Sequence, residues 1–162
     1  MRFFVLLIIA LTGLFFIWNK DKSHFKNKKK NRPNVVYINI DDLGWKDFGV
    51  MDDGYFESPY VDQFSKQAMM FTNSYASAAN CAPSRACLMT GQYSPRHGIY
   101  TVSPSARGKA SARKLIPIKN ADSLQSAVET LADMFKMAGY TTGTFGKWHL
   151  GNDPLQQGFD VN

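Results

Sequence analysis

The chain has 162 residues, and its 44% hydrophobic and 14% aromatic content supports one modest folded domain and excludes a disordered chain. The formal net charge is +6, yet residues 19–32 alone hold seven Lys or Arg against one Asp. From Pro33 onward, eleven basic residues face twelve acidic ones, which excludes a nucleic-acid surface spread over the folded part. Two cysteines are too few for a disulfide-stapled scaffold.

The N-terminus carries an uncharged apolar run over residues 3–18. At roughly 1.5 Å per residue the run is shorter than the ~30 Å hydrocarbon core, and it predicts a signal peptide or signal anchor over residues 1–18. No clear small-residue cleavage site follows, so both forms stay open. Residues 19–32 are predicted to be a basic linker. We expect an exported protein, periplasmic or membrane-anchored, although the linker's charge also allows an anchor that leaves it facing the cytoplasm.

Residues 34–40 are a continuous β-branched and aromatic run, which predicts a strand buried on both faces of a parallel sheet. The run ends at Asp41 and Asp42. Two carboxylates beyond the carboxyl end of a strand suit Ca²⁺ or Mg²⁺, and a turn or helix cap is the alternative. A short helix over residues 60–67 and a second strand over residues 69–75 are predicted next.

The run from Cys81 to Gly91 predicts a helix that begins at Pro83 and ends before Gly91. Cys81 then lies just before the helix N-terminus, where free N–H groups favour negative charge. Arg85 adds a permanent cation whose planar guanidinium suits a tetrahedral oxyanion. The alternative is a buried structural thiol with Arg85 on a solvated face.

Residues 101–123 are predicted to be an irregular polar excursion. Its basic side chains either hold an anionic glycan or are simply solvated; they are Arg107, Lys109, Arg113 and Lys114. A helix follows, for which Ser126 and Glu129 form the predicted capping box and Gly139 the stop.

A third strand is predicted over residues 140–145, leading into the motif of residues 146–151. Lys147 and His149 lie two apart and project to the same side of an extended segment. A cation beside a proton donor suits an anionic substrate whose leaving oxygen is protonated, while an ordinary loop with a structural histidine is the alternative. Strands alternating with helices predict an α/β domain with a mainly parallel sheet.

Taken together, these motifs resemble the type I, formylglycine-dependent sulfatase family of the alkaline-phosphatase-like superfamily. The signature Cys-x-Pro-Ser-Arg, followed five residues later by Thr-Gly, is met at every fixed position between Cys81 and Gly91. The resemblance covers residues 33–162 and implies the N-terminal part of a sulfatase catalytic domain. Its α/β fold is a mainly parallel sheet flanked by helices, which would be incomplete in this chain.

The resemblance also implies a site. A separate maturation enzyme would oxidise Cys81 to Cα-formylglycine, whose hydrate attacks the sulfur of a sulfate ester and later expels sulfate. Asp41, Asp42 and the modified Cys81 would bind one Ca²⁺ ion. Arg85 would steady the formylglycine oxygens, and Lys147 and His149 would bind the sulfate and assist catalysis.

A sulfated carbohydrate is the expected substrate. The family's downstream metal ligands and further His and Lys are not among these residues, so little or no activity is expected from this chain alone. Two alternatives stay open: a phosphate or phosphonate monoester hydrolase of the same superfamily, and a membrane-tethered binding protein without catalysis. Apart from the membrane, the expected partners are the substrate and the maturation enzyme, with no nucleic acid.

Overall fold

The computed structural model describes residues 32–51, 54–102, 104–151 and 153–162. The chain divides into two units, Met1–Asn39 and Ile40–Asn162. In the first unit, residues 32–39 have neither helix nor strand and their side chains are exposed. The predicted signal segment and nearly all of the basic linker lie outside the described residues.

The second unit contains short helices joined by turns. The α-helices are α1 (Pro59–Ser65), α2 (Cys81–Thr90), α3 (Ser94–His97) and α4 (Leu131–Met137). Three 3₁₀ turns accompany them, at Gly49–Met51, Ala110–Ala112 and Pro154–Gln157. Within the described part of the chain, no helix is both long enough and apolar enough to traverse a bilayer.

Helix α2 begins two residues earlier than its sequence pattern predicts. The Ser84 amide donates to the Asn80 carbonyl at 3.0 Å, which makes Asn80 the N-cap and Cys81 the first helical residue. Pro83 still fits, because the first-turn amide that it lacks has no partner inside the helix. The predicted end is confirmed: Gly91 adopts φ 64° and its amide donates to the Cys87 carbonyl.

Helix α4 has a different capping box from the predicted one. The hydroxyl of Thr130 accepts the Asp133 amide, and the Asp133 carboxylate accepts the Thr130 amide at 2.8 Å. Thr130 is buried and its hydroxyl also donates to the Gln157 carbonyl at 2.9 Å, a tertiary contact that the predicted Ser126–Glu129 pair lacks. The helix therefore starts at Leu131 and excludes the turn that precedes it.

The predicted parallel sheet is not formed by the described residues. None of the segments 34–40, 69–75 and 140–145 is a strand there, and the only β-pairing is an isolated parallel bridge between Gly143 and Val161. A strand requires a hydrogen-bonded neighbour. The first two segments have no backbone bonds of that kind to described residues, and their apolar side chains are exposed, Val36 by 83% and Phe71 by 75%.

A small apolar core connects α2 to the motif of residues 146–151. Its buried members are Ala82, Ala86, Ile99, Leu124 and Leu150. The Leu124 amide donates to the Leu150 carbonyl at 2.8 Å, and Trp148 packs edge-to-face on Phe159 with ring centroids 5.7 Å apart. This core fixes the 146–151 motif beside the first two turns of α2.

Candidate active site

Asp41 brings two of the predicted cationic residues together. Its Oδ1 accepts Arg85 Nη2 at 3.0 Å, and its Oδ2 accepts Lys147 Nζ at 2.5 Å. Arg85 also donates from Nη1 to the Lys147 carbonyl at 2.5 Å. Three segments that are far apart in sequence therefore converge on one carboxylate.

Cys81 lies one turn before Arg85 on α2, as a free and half-buried thiol. The pKa of the Lys147 ammonium is raised, mainly by Asp41 and to a smaller extent by the nearby Cys81 side chain. In turn, Lys147 first and Arg85 second hold the pKa of the Asp41 carboxyl below its ordinary value. The predicted nucleophile thus lies at the edge of a cation pair.

The structure does not bring His149 into this group. Its side chain is exposed and makes no hydrogen bond or ion pair to the other described residues. The backbone of His149 has φ 61°, a left-handed conformation that is unfavourable for a residue with a Cβ. The segment is therefore not extended at His149, so the alternation that would place the Lys147 and His149 side chains on one side does not hold there.

The predicted metal ligands have only part of the required arrangement. Asp42 is exposed with φ 56°, and both oxygens of Asp41 are already bound by cations. Among the described residues, no group of three His, Cys, Asp or Glu side chains is placed to hold a metal. These residues do not fit a divalent ion as they stand, and the Ca²⁺ site stays a prediction.

Sequence reasoning missed a buried pair behind the nucleophile. Cys87 Sγ lies 3.4 Å from His97 Nε2, and both residues are 5% exposed. The Ile99 amide donates to His97 Nδ1 at 3.1 Å, so the ring proton resides on Nε2 and is directed at the sulfur. Burial lowers the pKa of His97. Six residues at about 3.6 per turn place Cys87 about 120° around α2 from Cys81. That spacing turns Cys87 away from the predicted nucleophile, but it does not indicate His97 as its partner.

We expect the free energy of unfolding to fall as the pH drops below about 6.5, the ordinary pKa of histidine. The unfolded chain takes up a proton there, whereas buried His97 does so only at lower pH, so protons favour the unfolded state. Urea unfolding between pH 7.5 and 5 measures the slope, which His97→Gln should flatten. His149→Gln, which removes an exposed imidazole, is the control. An unchanged slope in His97→Gln would contradict the assignment.

Comparison with known proteins assigns the chain to a family. The family model described as Sulfatase matches residues 33–162. N-acetylgalactosamine-6-sulfatase of Rattus norvegicus is 38% identical over 133 residues, covering 79% of this chain and 24% of that protein. N-acetylgalactosamine-6-O-sulfatase of Bacteroides thetaiotaomicron is 36% identical over 155 residues, covering 96% and 27% respectively.

A solved structure of a sulfatase has a similar fold. It is described by the words "metabolism of multiple glycosaminoglycans by Bacteroides thetaiotaomicron" and superposes with a TM-score of 0.65 at 32% identity, covering 81% of this chain and 28% of that chain. The chain belongs to the sulfatase family. It spans about a quarter of the length of the curated relatives that it matches.

Proposed function

We propose that this chain carries the nucleophile and sulfate-binding cations of an enzyme that hydrolyses sulfate esters of a carbohydrate. The observation that supports this most directly is the convergence of Arg85 and Lys147 on Asp41, next to Cys81. Two cations held together beside the first two turns of α2 suit a tetrahedral anion, because the single Asp41 carboxylate offsets only one of their two charges. The family membership supports the same reaction.

Each residue has a distinct task in this proposal. Cα-formylglycine at position 81 supplies an oxygen nucleophile in place of sulfur. Arg85 orients the side chain at position 81 and stabilises negative charge on it, because its guanidinium is fixed by Asp41 and the Lys147 carbonyl. Lys147 binds a sulfate oxygen with its ammonium. His149 contacts the hydroxyl of the hydrated formylglycine, which requires the exposed imidazole to turn toward position 81.

The family implies a Ca²⁺ ion that Asp41, Asp42 and the side chain at position 81 would hold, which would require Asp41 to release Arg85 or Lys147. The substrate class is supported by the relatives, since two of them are named for sulfatase activity on N-acetylgalactosamine 6-sulfate. Export through residues 1–18, to the periplasm or to a membrane anchor, and action of a separate maturation enzyme on Cys81 complete the proposal.

Mass spectrometry of the tryptic peptide of residues 67–85 tests the proposal. The complete polypeptide is purified from its native host. Conversion of a thiol-bearing CH₂–SH group to an aldehyde is expected to lower the peptide mass by about 18 Da. An unshifted peptide in a host with the maturation system would contradict the proposal and would favour a non-catalytic binding protein.

Paired aryl sulfate and aryl phosphate substrates supply the second half of the test. Turnover of the sulfate ester is expected to exceed that of the phosphate ester. A preference for phosphate would instead identify a phosphate monoester hydrolase of the same superfamily.

A further inference from the structure

The loop of residues 104–119 has five basic side chains and no acidic one. They are Arg107, Lys109, Arg113, Lys114 and Lys119. Arg113 is half-buried and the other four are exposed. Among the described residues, none of the five has a carboxylate within ion-pair distance. This basic loop is therefore a positive patch without neutralising partners among the described residues, whereas the rest of residues 33–162 holds six basic residues against twelve acidic ones.

Hydrogen bonds hold the basic loop closed against its own charge repulsion. The Arg113 guanidinium donates from Nε to the Arg107 carbonyl at 3.0 Å and from Nη2 to the Gly108 carbonyl at 2.7 Å. The Ser105 hydroxyl donates to the Ile118 carbonyl at 2.9 Å. Arg113 thus acts as an internal brace between its own position and the backbone of residues 107 and 108.

The start of the basic loop is joined to the candidate active site. The Asn80 side-chain amide donates to the Thr101 hydroxyl at 2.8 Å, and Asn80 is the residue immediately before Cys81. The side-chain Oδ1 of Asn120 accepts hydrogen bonds from the backbone amides of Tyr100 and Thr101 at 2.7 and 3.1 Å. Both ends of the loop are therefore pinned together beside the N-terminus of α2.

The end of the basic loop is joined to the other part of the site. The Ala121 amide donates to the Gly98 carbonyl at 2.9 Å, and three residues later Leu124 donates to Leu150, the neighbour of His149. Both ends of the loop are therefore hydrogen-bonded to the segments that position Cys81 and the 146–151 motif. These hydrogen bonds fix where the loop lies relative to Cys81.

We propose that the basic loop is a second anion subsite, which binds a further sulfate or carboxylate of a polyanionic glycan while the scissile sulfate lies at Cys81. The inference rests on the proposed function and deepens it. A substrate with a single sulfate has no second anion for the loop, because Arg85 and Lys147 already serve the first. Exposed Lys and Arg bind by screened electrostatic attraction, so this contribution weakens as salt rises.

Two triple variants of the intact chain, matched in charge and residue type, test the proposal. The loop variant is Arg107→Gln, Lys109→Gln and Lys114→Gln, which keeps the Arg113 brace. The control variant is Lys46→Gln, Lys66→Gln and Arg96→Gln, three exposed basic residues outside the loop. Both variants retain the basic residues 19–32, so any binding by that segment is the same in each.

Calorimetry with a chondroitin 6-sulfate hexasaccharide at about 50 and 150 mM salt gives the readout. The loop variant is expected to bind about tenfold more weakly than the parent chain at the lower salt, and the control variant within about twofold. Binding of the monosaccharide N-acetylgalactosamine 6-sulfate should be unchanged in both variants. A hexasaccharide from which the sulfate groups have been removed distinguishes the two kinds of anion. If the loop variant still binds it more weakly than the parent chain does, the loop binds a carboxylate. If the two chains bind it equally, the loop binds a sulfate.

Equal losses in the two variants, or no loss in the loop variant, would overturn the subsite. Loss of monosaccharide binding in the loop variant would do the same, since it would place these residues at the first sulfate. The binding measurement does not depend on turnover. An unshifted mass of the 67–85 peptide would therefore refute the proposed function while leaving the loop result to be judged by itself.

Discussion

Replacing Cys81 by serine is expected to stop turnover after at most one cycle. The serine hydroxyl can accept the sulfuryl group from the ester, breaking the sulfur–oxygen bond to the leaving alcohol. Its carbon has no second hydroxyl from which to expel sulfate, so the serine ester persists. The kcat of the complete polypeptide, expressed in its own host, should fall by more than about 10³-fold. The peptide that contains position 81 should gain about 80 Da, the mass of the retained sulfuryl group.

Cys87→Ser is the matched control for this substitution. Cys87 is buried and its sulfur contacts His97 and Ser94, not the cation pair at Asp41. Its replacement should leave kcat within a few-fold and lower stability modestly. Continuous turnover by the Cys81→Ser protein would show that position 81 is not the nucleophile.

Gly158→Ala is expected to destabilise the chain by about 2–4 kcal/mol. Gly158 has φ 86°, and a Cβ there would lie 2.6 Å from the Asp133 amide nitrogen and in collision with the Asp133 carboxylate. Both groups belong to the capping box of α4, so relief of the collision requires the cap to open. Urea unfolding followed by circular dichroism measures the change.

Gly108→Ala separates backbone strain from this collision. Gly108 has φ 70°, similar to Gly158, but a Cβ there would meet no atom within 4 Å. Its replacement should cost only the left-handed backbone penalty, about 1 kcal/mol. If the two substitutions were equally mild, the packing of Gly158 against Asp133 would be incorrect.

The sequence was most informative where structure is local. The end of α2 before Gly91 follows from the conformational preference of glycine, and that prediction is confirmed. The short helix predicted over residues 60–67 is present as α1, although it starts one residue earlier, at Pro59, and ends two residues earlier, at Ser65. The start of α4 was predicted wrongly, because the competing pairs Ser126–Glu129 and Thr130–Asp133 are both plausible caps. A contact to Gln157, far along the chain, distinguishes them.

Non-local features were harder to predict. Strand formation in residues 34–40 depends on neighbours that the segment does not specify, and no such pairing forms in the described part of the chain. The motifs identified Asp41, Arg85 and Lys147 individually, yet not that one carboxylate would bind both cations across 106 residues. Similarly, no pattern indicates that Cys87 faces His97, since ten residues and a helix end separate them.

The two cysteines differ in solvent exposure, so alkylation of Cys81 and alkylation of Cys87 report on different events. Cys87 is 5% exposed and Cys81 half-buried, so an alkylating reagent applied to native protein reports on unconverted Cys81. Added denaturant then exposes Cys87 as well. If Cys81 is oxidised as proposed, one labelling experiment can therefore count the molecules that have escaped oxidation and, independently, those that have lost their fold.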